Sequence, residues 1–102
     1  MEGGAVDAAM FASMTLASTY LKLNSLEEAQ IAATFALLVA ARIESPRGKA
    51  QAGIILGEIY ELLGNYLESI QAYQMAAASA SLIHLNQTAE TAEASIARLK
   101  PN

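Results

Sequence analysis

The stretch LGEIYELLGNYLESIQAYQMAAASA, Leu56 to Ala80, decides the reading. It holds a glycine inside a helical pattern, three tyrosines and a run of alanines. It has no nucleophile beside a base, no pair of metal ligands and no basic run. Gly64 followed by Asn65 punctuates it. A glycine is the natural residue just past a helix end, in the left-handed conformation. Asn65 then serves as N-cap of a second helix, with Glu68 three residues on. Leu56–Ala80 therefore reads as two helices joined by a tight turn.

The same punctuation divides the rest of the 102 residues. Alanine, the residue with least to lose on entering a helix, makes up about a fifth of the chain. Asn24 and Ser25 interrupt the first helical stretch, and Ser25 with Glu28 spells a capping box. Glu44-Ser45-Pro46 ends one helix and starts another, with Ser45 as N-cap and Pro46 at the first helical position. Asn86 is placed to cap a last helix closing before Pro101. The expectation is five helices, over 5–23, 26–44, 46–63, 66–84 and 87–99, in one all-α domain spanning 1–102.

The first helix pair matches the second at a spacing of forty residues. Leu16 aligns with Leu56, Ala17 with Gly57, Tyr20 with Tyr60, Leu26 with Tyr66, Glu28 with Glu68 and Ala29 with Ser69, while Ile31 and Ile70 match one residue out of step. The third and fifth helices continue the series, Ala52 with Ala92, Leu56 with Ile96 and Gly57 with Ala97. Self-similarity at such a period marks a solenoid of helix pairs. Ala17, Gly57 and Ala97 are small where helices are expected to cross closely, with Tyr20 and Tyr60 filling the space beside them. Tyr73 and Ala76 form a large/small pair one turn apart. The repeats fall at about 5–44 and 46–84, with 87–99 as a closing helix.

On these residues the chain resembles the tetratricopeptide repeat family. LGEIYELLGNYLESIQAYQMA carries the family's L-G-x-x-Y, its glycine turn, its small residue and its aromatic-then-alanine second helix. ASTYLKLNSLEEA, Ala17–Ala29, is a looser copy, and the match runs from about Met10 to Leu99. Ser13 and Gly53 stand where the family usually has an aromatic, and Ser81 where a proline often ends the repeat. The family's common period is about 34 residues; the six extra, assigned to the region Arg42–Gly48, imply longer helices. The resemblance implies a right-handed α-α superhelix of antiparallel pairs, two repeats plus a capping helix, working as a non-enzymatic protein-interaction module.

Bulk composition excludes several other classes. Charged residues are 16% against 54% hydrophobic, and the net charge is −4. Nucleic acid needs a clustered basic footprint and an anionic membrane surface a polybasic one, so neither is expected as a partner. With no cysteine there is no disulfide or thiolate chemistry, which suits a reducing, cytoplasmic setting. No basic residue precedes Lys22, so no secretory leader is expected. The apolar run Ile31–Ala41 is too short to span a bilayer.

No set of side chains spells an active site. His84, the one histidine, sits at a helix end where a cation complements the dipole. Glu58 and Glu61, one turn apart, could pair as acid and base but read as a solvated helix face. Gly3-Gly4 and Gly64 lack a phosphate-loop lysine. The chain is expected to be no enzyme, to hold no metal and to need no cofactor.

By resemblance, the first helix of each pair lines a concave groove. The residues at those places are Phe11, Met14, Ser18 and Lys22, then Gln51, Ile54, Glu58 and Glu61, then Thr91, Ala94 and Arg98. Family members that clamp a C-terminal carboxylate use Lys, Asn and Arg here, whereas this chain has Met14, Ser18, Ile54 and Glu58, so that clamp is absent. Such a groove suits an apolar or amphipathic helical or extended segment with some basic character. Other readings are a small dedicated chaperone masking one hydrophobic segment, broadly like those of type III secretion, and a peptide- or ligand-sensing regulatory domain. The second helix, IAATFALLVAARI, is apolar nearly all round. Its outer face, placed at Ala32, Phe35 or Val39 according to phase, predicts self-association or an obligate partner, with Phe35 and Val39 as the candidate surface.

Overall fold

The computed structural model describes the backbone of residues 2–100 and the side chains of residues 5–100. Five helices follow one another, α1 Glu2–Lys22, α2 Leu26–Arg42, α3 Pro46–Leu62, α4 Tyr66–Leu82 and α5 Asn86–Leu99, with no strand among the described residues. Pro101 lies outside them.

Every connection has the same three-residue form. Asn24, Glu44, Gly64 and His84 each sit just past a helix end with positive φ, at 60°, 53°, 81° and 59°. The next residue donates its N–H back to a carbonyl in the finished helix: Ser25 to Tyr20, Ser45 to Ala40 and Asn65 to Tyr60, all at 2.8 Å, and Leu85 to Ala80 at 2.9 Å. This is the Schellman closure, which satisfies the helix's last carbonyls. The turns therefore recur every twenty residues, and α2, α3 and α4 each have 17 residues. The region Arg42–Gly48 holds no insertion.

The closure also corrects two expected caps. A capping box at Ser25 needs its N–H free for Glu28, but that N–H is already given to Tyr20, and the Ser25 side chain makes no cap bond. Asn65 likewise holds the cap position without a side-chain bond. Ser45 does cap, its Oγ accepting from the Gly48 N–H at 3.0 Å. The difference lies in Pro46, which pushes the residue before it toward extended ψ: Ser45 has ψ 102°, Ser25 only 75°. Leu85, not Asn86, stands at the last cap position. Glu44 and His84, expected as the final residues of their helices, are the left-handed turn residues.

Each helix packs chiefly on its neighbours in sequence, and α1 also touches α3. The interior is built from small side chains: Ala17, Ala29, Ala33, Ala36, Ala40 and Ala52 are all fully buried. At the α3–α4 crossing the Tyr73 ring lies directly over Gly57, where a Cβ would stand 2.6 Å from the ring. The Ser69 hydroxyl, also buried, donates to the Gly57 carbonyl at 2.7 Å. Tyr20 and Tyr60 are half-buried beside the Ala17–Leu56–Ile59 cluster. The ring that exploits the glycine is thus Tyr73. Forty residues earlier, at the α1–α2 crossing, the corresponding pair is Ala17 and Ala33, small against small, in the same buried cluster. Glycine against tyrosine replaces alanine against alanine, a redistribution of volume across a close-packed contact.

The aligned positions differ at the two ends of the array. Leu16 is exposed while Leu56 is buried, because α2 packs beside α3 and no helix precedes α1 among the described residues. Ala97, expected at a close crossing, is exposed for the same reason at the far end. No helix among the described residues is long and apolar enough to cross a membrane.

Two sets of variants test this packing by urea or thermal unfolding. Gly57→Ala should destabilise by about 1–2 kcal/mol, the clash with Tyr73 outweighing the gain in helix propensity. In a Tyr73→Ala background the same change should stabilise by roughly 0.5–1 kcal/mol; destabilisation in both backgrounds would refute the contact. Gly64→Ala meets no atom within 4 Å, so it should cost only the left-handed backbone penalty of about 1 kcal/mol. Glu44→Gly and His84→Gly should each gain a comparable amount.

Candidate binding groove

The groove residues expected on α1 by resemblance, Phe11, Met14, Ser18 and Lys22, share one face of the helix, and the fold turns that face toward α3 and α5. The three helices enclose an open trough of about 690 Å³. Phe11, Ser18 and Lys22 line it from α1, with Gln51 and Ile54 from α3 and Thr91 from α5. Thr15, Thr19, Ile55, Gln87 and Thr88 complete the wall; the single stripe of expected positions does not include them. A stripe taken at every third and fourth position would reach Thr15 and Thr19, since a groove exposes about two adjacent rows of a helix. α2 and α4 contribute no lining residue.

The trough's apolar character rests on specific groups. Phe11 is 47% exposed and stands free in it. Ile54 is half-buried, its inner side packed on the Tyr73–Ala76–Ala92 cluster. Met14 reaches the floor but is only 6% exposed, being held among Met10, Ala36, Ala40 and Ala52. Three of the four lining threonines are less polar than their names suggest. The hydroxyls of Thr15, Thr19 and Thr91 donate to the carbonyls of Phe11, Thr15 and Gln87 at 2.9–3.0 Å, one turn back in their own helices. Lys22 and Gln51 leave polar groups at the rim.

Glu58, Glu61 and Arg98 lie instead in an adjoining recess of about 360 Å³ between α3 and α5, which shares Ile54 and Thr91 with the trough and adds Tyr73 and Ser95. There Glu61 accepts two bonds from the Arg98 guanidinium, at 2.5 and 3.0 Å, and a third from the Tyr73 hydroxyl at 3.2 Å. The Arg98 hydrogen bond is the main cause holding the Glu61 carboxyl below its usual range, and burial opposes it. Glu58 goes the other way: burial, then the Glu61 charge, raises it. Burial, followed by the Glu61 charge, pushes the Tyr73 hydroxyl up to about 12. Glu61 is therefore already answered by Arg98, and Glu58 is the acidic group left unpaired at this end. Ala94 is exposed on α5 and lines neither space.

On α2 the exposed apolar stripe is Ile31, Phe35 and Leu38. Val39 and Ala32 are half-buried, packed inward on the two buried clusters. Of the candidate surface at Phe35 and Val39, only Phe35 faces outward.

Comparison of the chain with protein-family models, with curated proteins and with solved structures finds no match.

The opposed shifts of the two glutamates give opposed pH dependences. Glu61, lowered in the folded chain, supports stability above the ordinary carboxylate range and loses that support as pH falls through its folded value. Glu58, raised, favours the folded chain only below the ordinary range, and that contribution is gone once pH rises through its folded value. Unfolding midpoints should then rise for Glu58→Gln and fall for Glu61→Gln near pH 7, each difference shrinking as pH falls through that glutamate's folded value, Glu58 first and Glu61 last. Equal shifts of the same sign at neutral pH would refute this account of the recess.

Proposed function

We propose that the chain is a protein-interaction module, two tetratricopeptide-like repeats in a right-handed superhelix closed by α5, which acts without chemistry of its own in a cytoplasmic setting. Its trough takes an apolar or amphipathic helical segment of a partner protein. The observation that carries this reading is the trough itself: open, walled by three helices, with Phe11 and Ile54 offered and the hydroxyls of Thr15, Thr19 and Thr91, three of its four threonines, already bonded. A partner segment need not replace those internal hydrogen bonds, so entry removes apolar surface from water at little polar cost. The recurrence of one turn every twenty residues, and the exchange of Ala17/Ala33 for Gly57/Tyr73 between successive pairs, support the repeat assignment.

An amphipathic segment fits better than a wholly apolar one because Lys22 and Gln51 border the trough at α1 and α3. Glu58 adds one acceptor at the other end for a basic residue, whereas Glu61 is engaged by Arg98.

The test is affinity capture with mass spectrometry, followed by titration of the recovered partner's segment as a peptide. Phe11→Glu is the informative variant: its ring is half-exposed, so folding should be retained, whereas Met14→Glu would bury a charge. Phe11→Glu should weaken the peptide by about tenfold or more, with helicity unchanged. Undiminished affinity in both Phe11→Glu and Ile54→Glu would overturn the groove reading.

A further inference from the structure

The exposed face of α2 is self-complementary about its midpoint in its large aliphatic side chains and its end charges, while Glu28 mirrors Ala41 and Thr34 mirrors Phe35. About the midpoint between Thr34 and Phe35, Ile31 mirrors Leu38 and Glu27 mirrors Arg42. Ile31, Phe35 and Leu38 are 71%, 49% and 64% exposed, and Glu27, Thr34 and Arg42 are exposed on the same helix. Neither Glu27 nor Arg42 has an ion-pair partner among the described residues, where the one ion pair is Glu61–Arg98. At the corresponding places on α4, forty residues on, stand Gln71, Met75 and Ala78. Gln71 is polar and exposed, and Ala78 is exposed but offers only a methyl. Met75 is half-buried, with its tip reaching toward Gly53. The repeat thus does not demand a stripe of large apolar side chains at this place.

We propose that this face is the contact between two copies of the chain, α2 lying antiparallel on α2 about a two-fold axis through the Thr34–Phe35 midpoint. A two-fold contact must be self-complementary: if residue i meets residue j, then j meets i. The order of side chains on α2 meets that condition in both its terms. Ile31 of each copy lies against Leu38 of the other, the two Phe35 rings pack beside the axis, and Glu27 meets Arg42 at both ends. A partner of unrelated sequence would need the apolar stripe but not the charge arrangement at its ends. The contact leaves the trough uncovered, since α2 lines none of it, and it stands whether or not the trough binds a helix.

One 17-residue helix per copy offers less than the roughly 800 Å² per partner of a standard interface, so the dimer should be of micromolar affinity. Sedimentation equilibrium from about 5 to 500 µM covers that range. The unaltered chain should show a monomer–dimer equilibrium. Phe35→Glu should weaken it about a hundredfold; Leu38→Glu, at an exposed site, provides the same measurement should Phe35→Glu fail to fold. Glu27→Arg and Arg42→Glu should each weaken it roughly tenfold by setting like charges together at both ends. The double variant Glu27→Arg/Arg42→Glu should return to within about threefold of the original, since both pairs are restored. A monomer throughout the range, a dimer indifferent to both apolar variants, or a double variant no better than either single one would each overturn the proposal.

Discussion

A backbone N–H can be donated only once in good geometry, and much of this fold follows from where four of them go. The N–H of Ser25, Ser45, Asn65 and Leu85 each turns back to a carbonyl of the helix just finished. That closes the helix, forces the preceding residue into the left-handed region and leaves the closing residue as the start of the next helix. Three residues suffice for each turn. With turn and helix length repeated, the buried face of α2 returns at the same phase on α4 forty residues later, Ala29, Ala33, Ala36 and Ala40 matching Ser69, Tyr73, Ala76 and Ala80. The alignment of Phe11 on α1, Gln51 on α3 and Thr91 on α5 along one trough is a consequence of that phase.

The second constraint is distance. Alanine-lined crossings bring helices close enough that a single methyl matters, and the chain distributes volume accordingly. Where Tyr73 enters, the facing residue loses its side chain altogether at Gly57, and where Ala33 enters, Ala17 is retained. Gly53 is held similarly, a Cβ there standing 3.0 Å from the Ala72 carbonyl oxygen and the Ala76 methyl. That contact explains why no aromatic residue occupies this position. Groups this close gain dispersion energy only if nothing intrudes, which is why the core relies on size more than on large hydrophobes.

Much of this was legible in the residues. Gly64 announced its turn, Ser45-Pro46 its cap, and the forty-residue echo marked Gly57 as a place of close approach. What stayed hidden depended on partners distant in sequence or on competition for one donor. Nothing in Tyr73 says that its ring covers Gly57, since that requires the crossing point of α3 and α4. The Ser25–Glu28 pattern looked like a capping box because the prior claim of Tyr20 on the Ser25 N–H is invisible until the turn is built. The face of α2 was misphased toward Val39 because a helix apolar on every side carries no marker of its outward direction. In the trough, the α1 positions Phe11, Met14, Ser18 and Lys22 came from the tetratricopeptide resemblance. The quenching of the Thr15, Thr19 and Thr91 hydroxyls and the neutralisation of Glu61 by Arg98 were not legible.

The nearest-neighbour packing has a mechanical consequence. Most contacts join helices adjacent in the chain, so the array is held as a series of links, and its first and last helices are the members with fewest. Such an array can open from either end without disturbing the middle, because each interface stabilises only the pair that makes it. The trough draws walls from α1 and α5, the first and last of the described helices. Any occupant that rests on both would act as a strap across the series, and its binding energy would appear as resistance of the end helices to fraying.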